Sequence, residues 1–294
     1  MSYRTLVVLA AVTLAGCHVE REIGPERTQA NAFVYSAPMG AGQTLTLRNF
    51  TGALQLEPAT DDTLRVSADL HWRGDSTPPK DVSFRGGTTA DGIIVCALVG
   101  DGRCTAEDYD VKSDGSGFSI DGGRVRLGMG GSTQASVQFT VRVPAGVRLD
   151  LVMIDGTIRS ASSAPVKARG VNGNITVVTS VGPVQAKTVN GDVDIRMTTL
   201  SGADSVQAET VNGAASAYLP ADVSAAVEVR VTNGSALSDF PGLSGGAERI
   251  SKVITGILGA GGTPVRVRSL NGDAQLRRLD ATGRPIEMPT DGTP

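Results

Sequence analysis

The chain has 294 residues, a formal charge of −3, 37 glycines and only 4% aromatic residues. With no basic cluster in the sequence, it lacks the electrostatic footprint of a nucleic-acid binder. Its Gly, Val, Thr, Ser and Ala bias argues against a helical bundle and for strands joined by tight turns.

The N-terminus reads Met1-Ser2-Tyr3-Arg4, an apolar run from Leu6 to Leu14, then Ala15-Gly16-Cys17. A positive charge, a short apolar stretch and small residues before a cleavage point make a signal peptide. The run is too short to cross a bilayer as a helix, which takes roughly 20 residues. Leu-Ala-Gly-Cys resembles the lipobox of bacterial lipoproteins. That resemblance implies that residues 1–16 are removed and that Cys17 becomes the acylated, palmitate-bearing first residue. Several acyl chains on one residue make a stable membrane anchor. The next residue is His18 rather than Asp, which favours the outer over the inner membrane in a Gram-negative cell. The expected location is therefore the cell envelope. Composition assigns 17–32 to a polar tether, 33–280 to one folded domain and 281–294 to a disordered tail.

Within the domain, Thr44–Leu47 and Ala53–Leu56 alternate apolar and polar residues around Gly52, as does Leu64–Ala68. Such alternation is the signature of a strand with one buried face. His71 stands beside Trp72; strand packing accounts for it better than a Ser-His-Asp triad, since no Gly-x-Ser-x-Gly elbow accompanies it. Cys96 and Cys104, an even pair across a Gly-rich turn in an exported chain, are expected to form a disulfide. A metal site is the weaker alternative, as no histidine is near. Asp108, Asp110 and Asp114 depart from EF-hand spacing and read as a solvated acidic loop. Val137–Val143 alternates again and enters a Pro144-Ala145-Gly146 turn.

A repeat then organises the chain. Asp155-Gly156 is followed by Asn172-Gly173, Asn190-Gly191, Asn212-Gly213, Asn233-Gly234 and Asn271-Gly272, at intervals of 17, 18, 22, 21 and 38 residues. The last interval is close to two periods. The flanks repeat in phase, with Val184-Gln185-Ala186-Lys187-Thr188-Val189 preceding one turn and Val206-Gln207-Ala208-Glu209-Thr210-Val211 the next. Asn-Gly tolerates a sharp corner, and a hairpin meander uses it as readily as a solenoid. Matching residues at matching phase favour stacking of equivalent coils. The expected fold is all-β, a single-domain parallel β-helix with coils of about 17–22 residues. Ile250, Val253, Ile254, Ile257 and Leu258 fit helical spacing, but Gly256 interrupts them, leaving helix and strand both open there.

These Val-Asn-Gly turns resemble a widespread bacterial adhesin domain family of unknown function. So do Val141–Val147, Leu219-Pro220-Ala221-Asp222-Val223, Asp239-Phe240-Pro241 and Leu258–Gly262. The resemblance covers most of residues 43–277. It implies one parallel β-helix, a return of 250–262 toward the solenoid, and a closing coil at Val265–Leu276. The family has no established catalytic residues to carry over. A carbohydrate-active β-helix enzyme, lyase or hydrolase, is the competing class. It would need clustered carboxylates, for which Asp192 and Asp194 are the best candidates. The stacked equivalents of Asp192, namely Asn174, Ala214, Ser235 and Asp273, build no carboxylate column. The sequence thus predicts a non-catalytic envelope lipoprotein without metal or cofactor. Its expected partners are the membrane, through the lipid, and an envelope protein, a glycan or a second copy, but not nucleic acid. Arg277-Arg278 is expected to cap the last coil against edge pairing.

Overall fold

Glycine corners stacked one above another organise the molecule. The computed structural model describes residues 25–74, 76–113, 116–121, 124–127, 135–201, 204–247, 252–280 and 282–286. Gly52, Gly156, Gly173, Gly191, Gly213, Gly272 and Gly234 form the column, each with φ between +122° and +147°. An L side chain rarely adopts that conformation. Space forbids one as well: a Cβ on Gly173 would lie 1.7 Å from the Gly156 carbonyl oxygen, and one on Gly191 2.4 Å from that of Gly173.

One strand enters each corner and another leaves it, so every coil feeds two parallel ladders. The first ladder runs Gly92–Val99, Thr44–Pro58, Arg148–Ser162, Val166–Asn172, Val184–Asn190, Val206–Asn212, Thr263–Asn271 and Ala225–Asn233. The second runs Ala135–Val143, the later halves of Thr44–Pro58 and Arg148–Ser162, then Ile175–Thr179, Val193–Met197, Ala215–Pro220, Ala274–Leu279 and Ala236–Ser238. Among the described residues there is no helix. The fold is an all-β parallel solenoid.

Register explains the stability of the stack. Val166, Val184, Val206, Val265 and Val227 pair in one line, and Ala168, Ala186 and Ala208 in the next. All are buried between the ladders, in one core that reaches from Met39 to Leu276. Each fully buried valine contributes about 1.5–3 kcal/mol. Small alanines alternate with valines along each strand, a fit of large and small side chains that lets the two ladders pack closely.

Three features correct or complete the sequence reading. First, the 38-residue interval is not two coils in succession. The coil 263–279 lies between the coils 206–220 and 225–238. The chain leaves Ala225–Asn233, returns antiparallel to it as Lys252–Leu258, and crosses its start to pair in parallel on the other side. Gly259, Gly261 and Gly262, with φ of +55°, +74° and +100°, make that crossing. At Gly259 a Cβ would meet Ser224 Oγ at 2.5 Å. Second, of the two readings left open for this segment the strand holds, over 252–258; Ser244–Ala247 pairs with it and the two cover the edge of the first ladder. That hairpin is the cap there, whereas Arg277 and Arg278 lie on an interior strand. Third, Glu26–Pro38 is an edge strand antiparallel to Thr63–Arg73. It begins inside the segment whose composition reads as tether, because a strand that buries little needs few apolar residues.

Candidate binding face

Beside the glycine column runs a second column, of asparagines. The Asn190 side-chain amide donates to Asn172 Oδ1 at 2.8 Å, Asn212 to Asn190 at 2.7 Å, Asn271 to Asn212 at 2.8 Å and Asn233 to Asn271 at 2.8 Å. Five amides thus form one head-to-tail relay along the corner. A third column supports it from inside. Thr188, Thr210 and Ser269, all buried, donate to the carbonyls of Gly173, Gly191 and Gly213 at 3.1, 2.8 and 2.8 Å. Sequence reasoning missed these hydroxyls. Their signal was a polar residue at an inward-facing position, two before each asparagine.

The candidate catalytic pair belongs to the same framework. Asp192 Oδ1 accepts the Ala214 amide at 2.8 Å. Its stacked equivalents behave alike: Asn174 Oδ1 accepts the Asp192 amide at 2.9 Å, and Asp273 Oδ1 the Ser235 amide at 2.8 Å. An asparagine serves as well as an aspartate, so the position requires an acceptor and not an acid. Burial pushes the neighbouring Asp194 carboxyl up, against a hydrogen bond from Ser216 and the charge of Arg196.

The other singled-out residues have local partners. His71 Nδ1 shares a 2.9 Å hydrogen bond with Thr28 Oγ1, and among the described residues no carboxylate joins them. Asp108 closes a turn, its amide donating to Thr105 Oγ1 at 2.9 Å. Asp110 lies on a strand, and Asp114 lies outside the described residues, as do Cys17 and His18. Among the described residues no three His, Cys, Asp or Glu side chains form a metal-holding group.

Cys96 and Cys104 are joined in a disulfide with Cα atoms 6.5 Å apart. It secures a loop across the outer face of the first ladder. Under that loop the Arg48 guanidinium is 1% exposed. It donates to the Ala106 carbonyl at 2.8 Å and to both carboxylate oxygens of Asp150 at 3.2 and 3.1 Å. Arg169 adds a third hydrogen bond to Asp150 at 3.1 Å. Burial alone would raise the Asp150 carboxyl, but the charges and hydrogen bonds of the two arginines outweigh it and hold the group below its ordinary range. Tyr109, also buried, anchors the loop by donating to the Ala97 carbonyl at 2.6 Å.

From Asp150 the outer face continues coil by coil. One column reads Asp150, Lys167, Gln185, Gln207, Arg266, Glu228; the next reads Arg169, Lys187, Glu209, Arg268, Arg230. Gln185 donates to Gln207 at 2.5 Å and Gln207 to Glu209 at 2.5 Å. Lys187 pairs with Glu209 at 2.8 Å. Glu228 is shared by Arg268 at 2.8 Å, Arg230 at 3.6 Å and Arg266 at 3.8 Å. With Arg48 and Arg148, the outer face of these seven strands carries eight cations against three carboxylates. On the outside of the second ladder two arginines have carboxylate neighbours, Arg196 beside Asp194 and Arg277 against Asp239 at 3.0 Å. Where the first ladder meets the return loops, a groove of about 410 Å³ runs across the coils, lined by Arg148, Asp150, Pro165, Lys167, Gln185 and Gln207.

Fold and face together define a β-solenoid that presents a long, flat, charged surface. Residues 44–277 match the Toastrack DUF4097 family, and the chain belongs to that family. A crystal structure of a putative cell adhesion protein from Clostridium sporogenes is similar at a TM-score of 0.41 and 9% identity, covering 86% of this chain and 100% of that one. No curated protein matches.

Proposed function

We propose that the chain is a membrane-anchored envelope lipoprotein whose solenoid is a non-catalytic binding module. The Leu-Ala-Gly-Cys leader supports acylation at Cys17, and His18 supports the outer membrane in a Gram-negative cell. The observation that carries the non-catalytic reading is how the carboxylates are used. Asp192 and Asp273 do work that Asn174 does equally well, and both oxygens of Asp150 are engaged by arginines. A glycoside hydrolase needs two carboxyl groups free to exchange protons with substrate and water. Membership of a family without established catalytic residues agrees with this. On this reading the domain begins with the edge strand Glu26–Pro38, the part of it nearest the anchor, and extends to 280.

Fractionation of cells expressing the chain and its Cys17→Ser variant tests the anchor: the parent should be in the membrane fraction and the variant soluble. Incubation with polysaccharides tests the rest. New reducing ends or unsaturated sugar products from the purified protein would overturn the non-catalytic reading.

A further inference from the structure

We propose that the outer face of the first ladder binds an extended anionic polysaccharide, a carboxylate-bearing chain of the uronate class laid along the solenoid axis. This names a ligand class for the binding module above and rests on that reading. The charge distribution is the first ground. The chain as a whole is negative, yet apart from Arg48, which is covered by the loop, this one face gathers seven of its cations with only three carboxylates. Arg169 stacks on Lys187, and Arg268 on Arg230. Like charges directly opposite each other on neighbouring strands destabilise a sheet, and the shared carboxylates Asp150, Glu209 and Glu228 offset this only in part, because they are outnumbered. A polyanion would relieve the repulsion.

The groove is the second ground. Among the described residues Arg148 and Lys167 form no ion pair, and both are exposed at its rim. Asp150, the groove's carboxylate, is neutralised from behind by Arg48 and Arg169. Gln185 and Gln207 each spend one amide hydrogen in their relay and keep the other for a ligand oxygen. Guanidinium groups match carboxylates in fork geometry. These donors recur with each coil, about 4.8 Å apart, which suits a chain with a regular repeat more than a compact ligand.

The residues of the two outer columns and the groove include no aromatic side chain. Single-stranded nucleic acid relies on stacking platforms, so this composition favours a sugar polymer. A lipid surface would meet the projecting arginines but leave the groove, floored by Pro165 and Pro183, unused.

The test uses the full-length acylated protein in uncharged detergent micelles, with polygalacturonate as the probe. Dextran, oligothymidylate and phosphatidylglycerol vesicles are the comparison arms. Polygalacturonate should be retained and dextran not, and retention should fall steeply with salt because screening acts on exposed charges. The double variant Lys167→Glu/Arg266→Glu should bind at least about tenfold more weakly. Arg159→Glu, on the other ladder, should bind like the parent. If the reversal disturbs folding, as thermal unfolding would report, Lys167→Gln/Arg266→Gln serves with a smaller loss in the same direction. Equal binding by the face variants and the parent, no preference over dextran, or tighter binding to oligothymidylate or vesicles would overturn the proposal. Retention with cleavage would leave the face assigned and overturn the non-catalytic reading. Absent retention, with the anchor assay positive, overturns the ligand alone.

Discussion

Gly191 shows how one residue can be fixed twice, by conformation and by space. Its φ is +133°, and a Cβ would press on the Gly173 carbonyl. Gly42 separates the two effects, since its φ is +83° but nothing lies within 4 Å of a Cβ there. Gly191→Ala should therefore lose about 2–4 kcal/mol in urea denaturation and Gly42→Ala only about 1 kcal/mol. Asp192 gives a second contrast. Asp192→Asn keeps an acceptor for the Ala214 amide and should unfold within about 0.5 kcal/mol of the parent, whereas Asp192→Ala should lose about 1 kcal/mol. A large loss in the asparagine variant would show that the charge itself matters. The Asn-Gly corners were legible in the sequence because a positive φ restricts the choice of residue. Thr188, Thr210 and Ser269 were not: their alternation places them inward, but nothing in a linear reading shows the carbonyl above that each one satisfies.

Among elements, the segment after Cys96 is paired through Ala97–Val99 with the strand Val82–Thr89, and beyond Val99 it is held to the solenoid by the disulfide, Arg48 and Tyr109. Opening the disulfide in Cys96→Ser/Cys104→Ser should lower stability by about 2–3 kcal/mol, as expected for so short a loop. Hydrogen exchange should localise the loss to 100–109, while the coils from Val166 onward keep their protection. Exchange that rises equally along all coils would show instead that the loop supports the entire stack. The cysteine pairing was legible from spacing and compartment. The ion pair beneath the loop was not, because Arg48 and Asp150 are 102 residues apart in sequence. The crossing at Gly259–Gly262 was hidden for another reason: an interval of 38 residues fits two successive coils as well as one hairpin and a return.

At the scale of the whole molecule, the stack turns scattered residues into surfaces. Each coil contributes one or two charges to the outer face, about twenty residues from the next, so no stretch of sequence looks basic. Acid should reveal the paired carboxylates of the molecule. Asp150 and Glu209 are held below their ordinary range, each against the opposing effect of burial: Asp150 by Arg48 and Arg169, Glu209 by hydrogen bonds from Lys187 and Gln207. Asp61 is drawn to about 2 by hydrogen bonds from Arg65 and the Thr63 amide. A carboxyl with a lowered folded pKa stabilises above its unfolded pKa and loses that effect as pH falls through the folded value. Asp194, raised by burial, acts in the opposite sense. Urea midpoints should consequently fall between pH 5 and 2, and Asp150→Asn should flatten that decline. A midpoint that rises on acidification would contradict the dominance of the paired groups.

The coil that reaches its place last in the chain is a keystone in space. Until residues 263–279 exist, Ala225–Asn233 has no neighbour joining it to the rest of the stack. A polypeptide emerging N-terminus first from a membrane can stack its coils as they appear, up to 206–220, and must then wait. Completion of the far end is thereby a report that the coil 263–279 has arrived. A chain truncated after Gly262 should keep the earlier coils protected from protease and lose everything beyond Pro220.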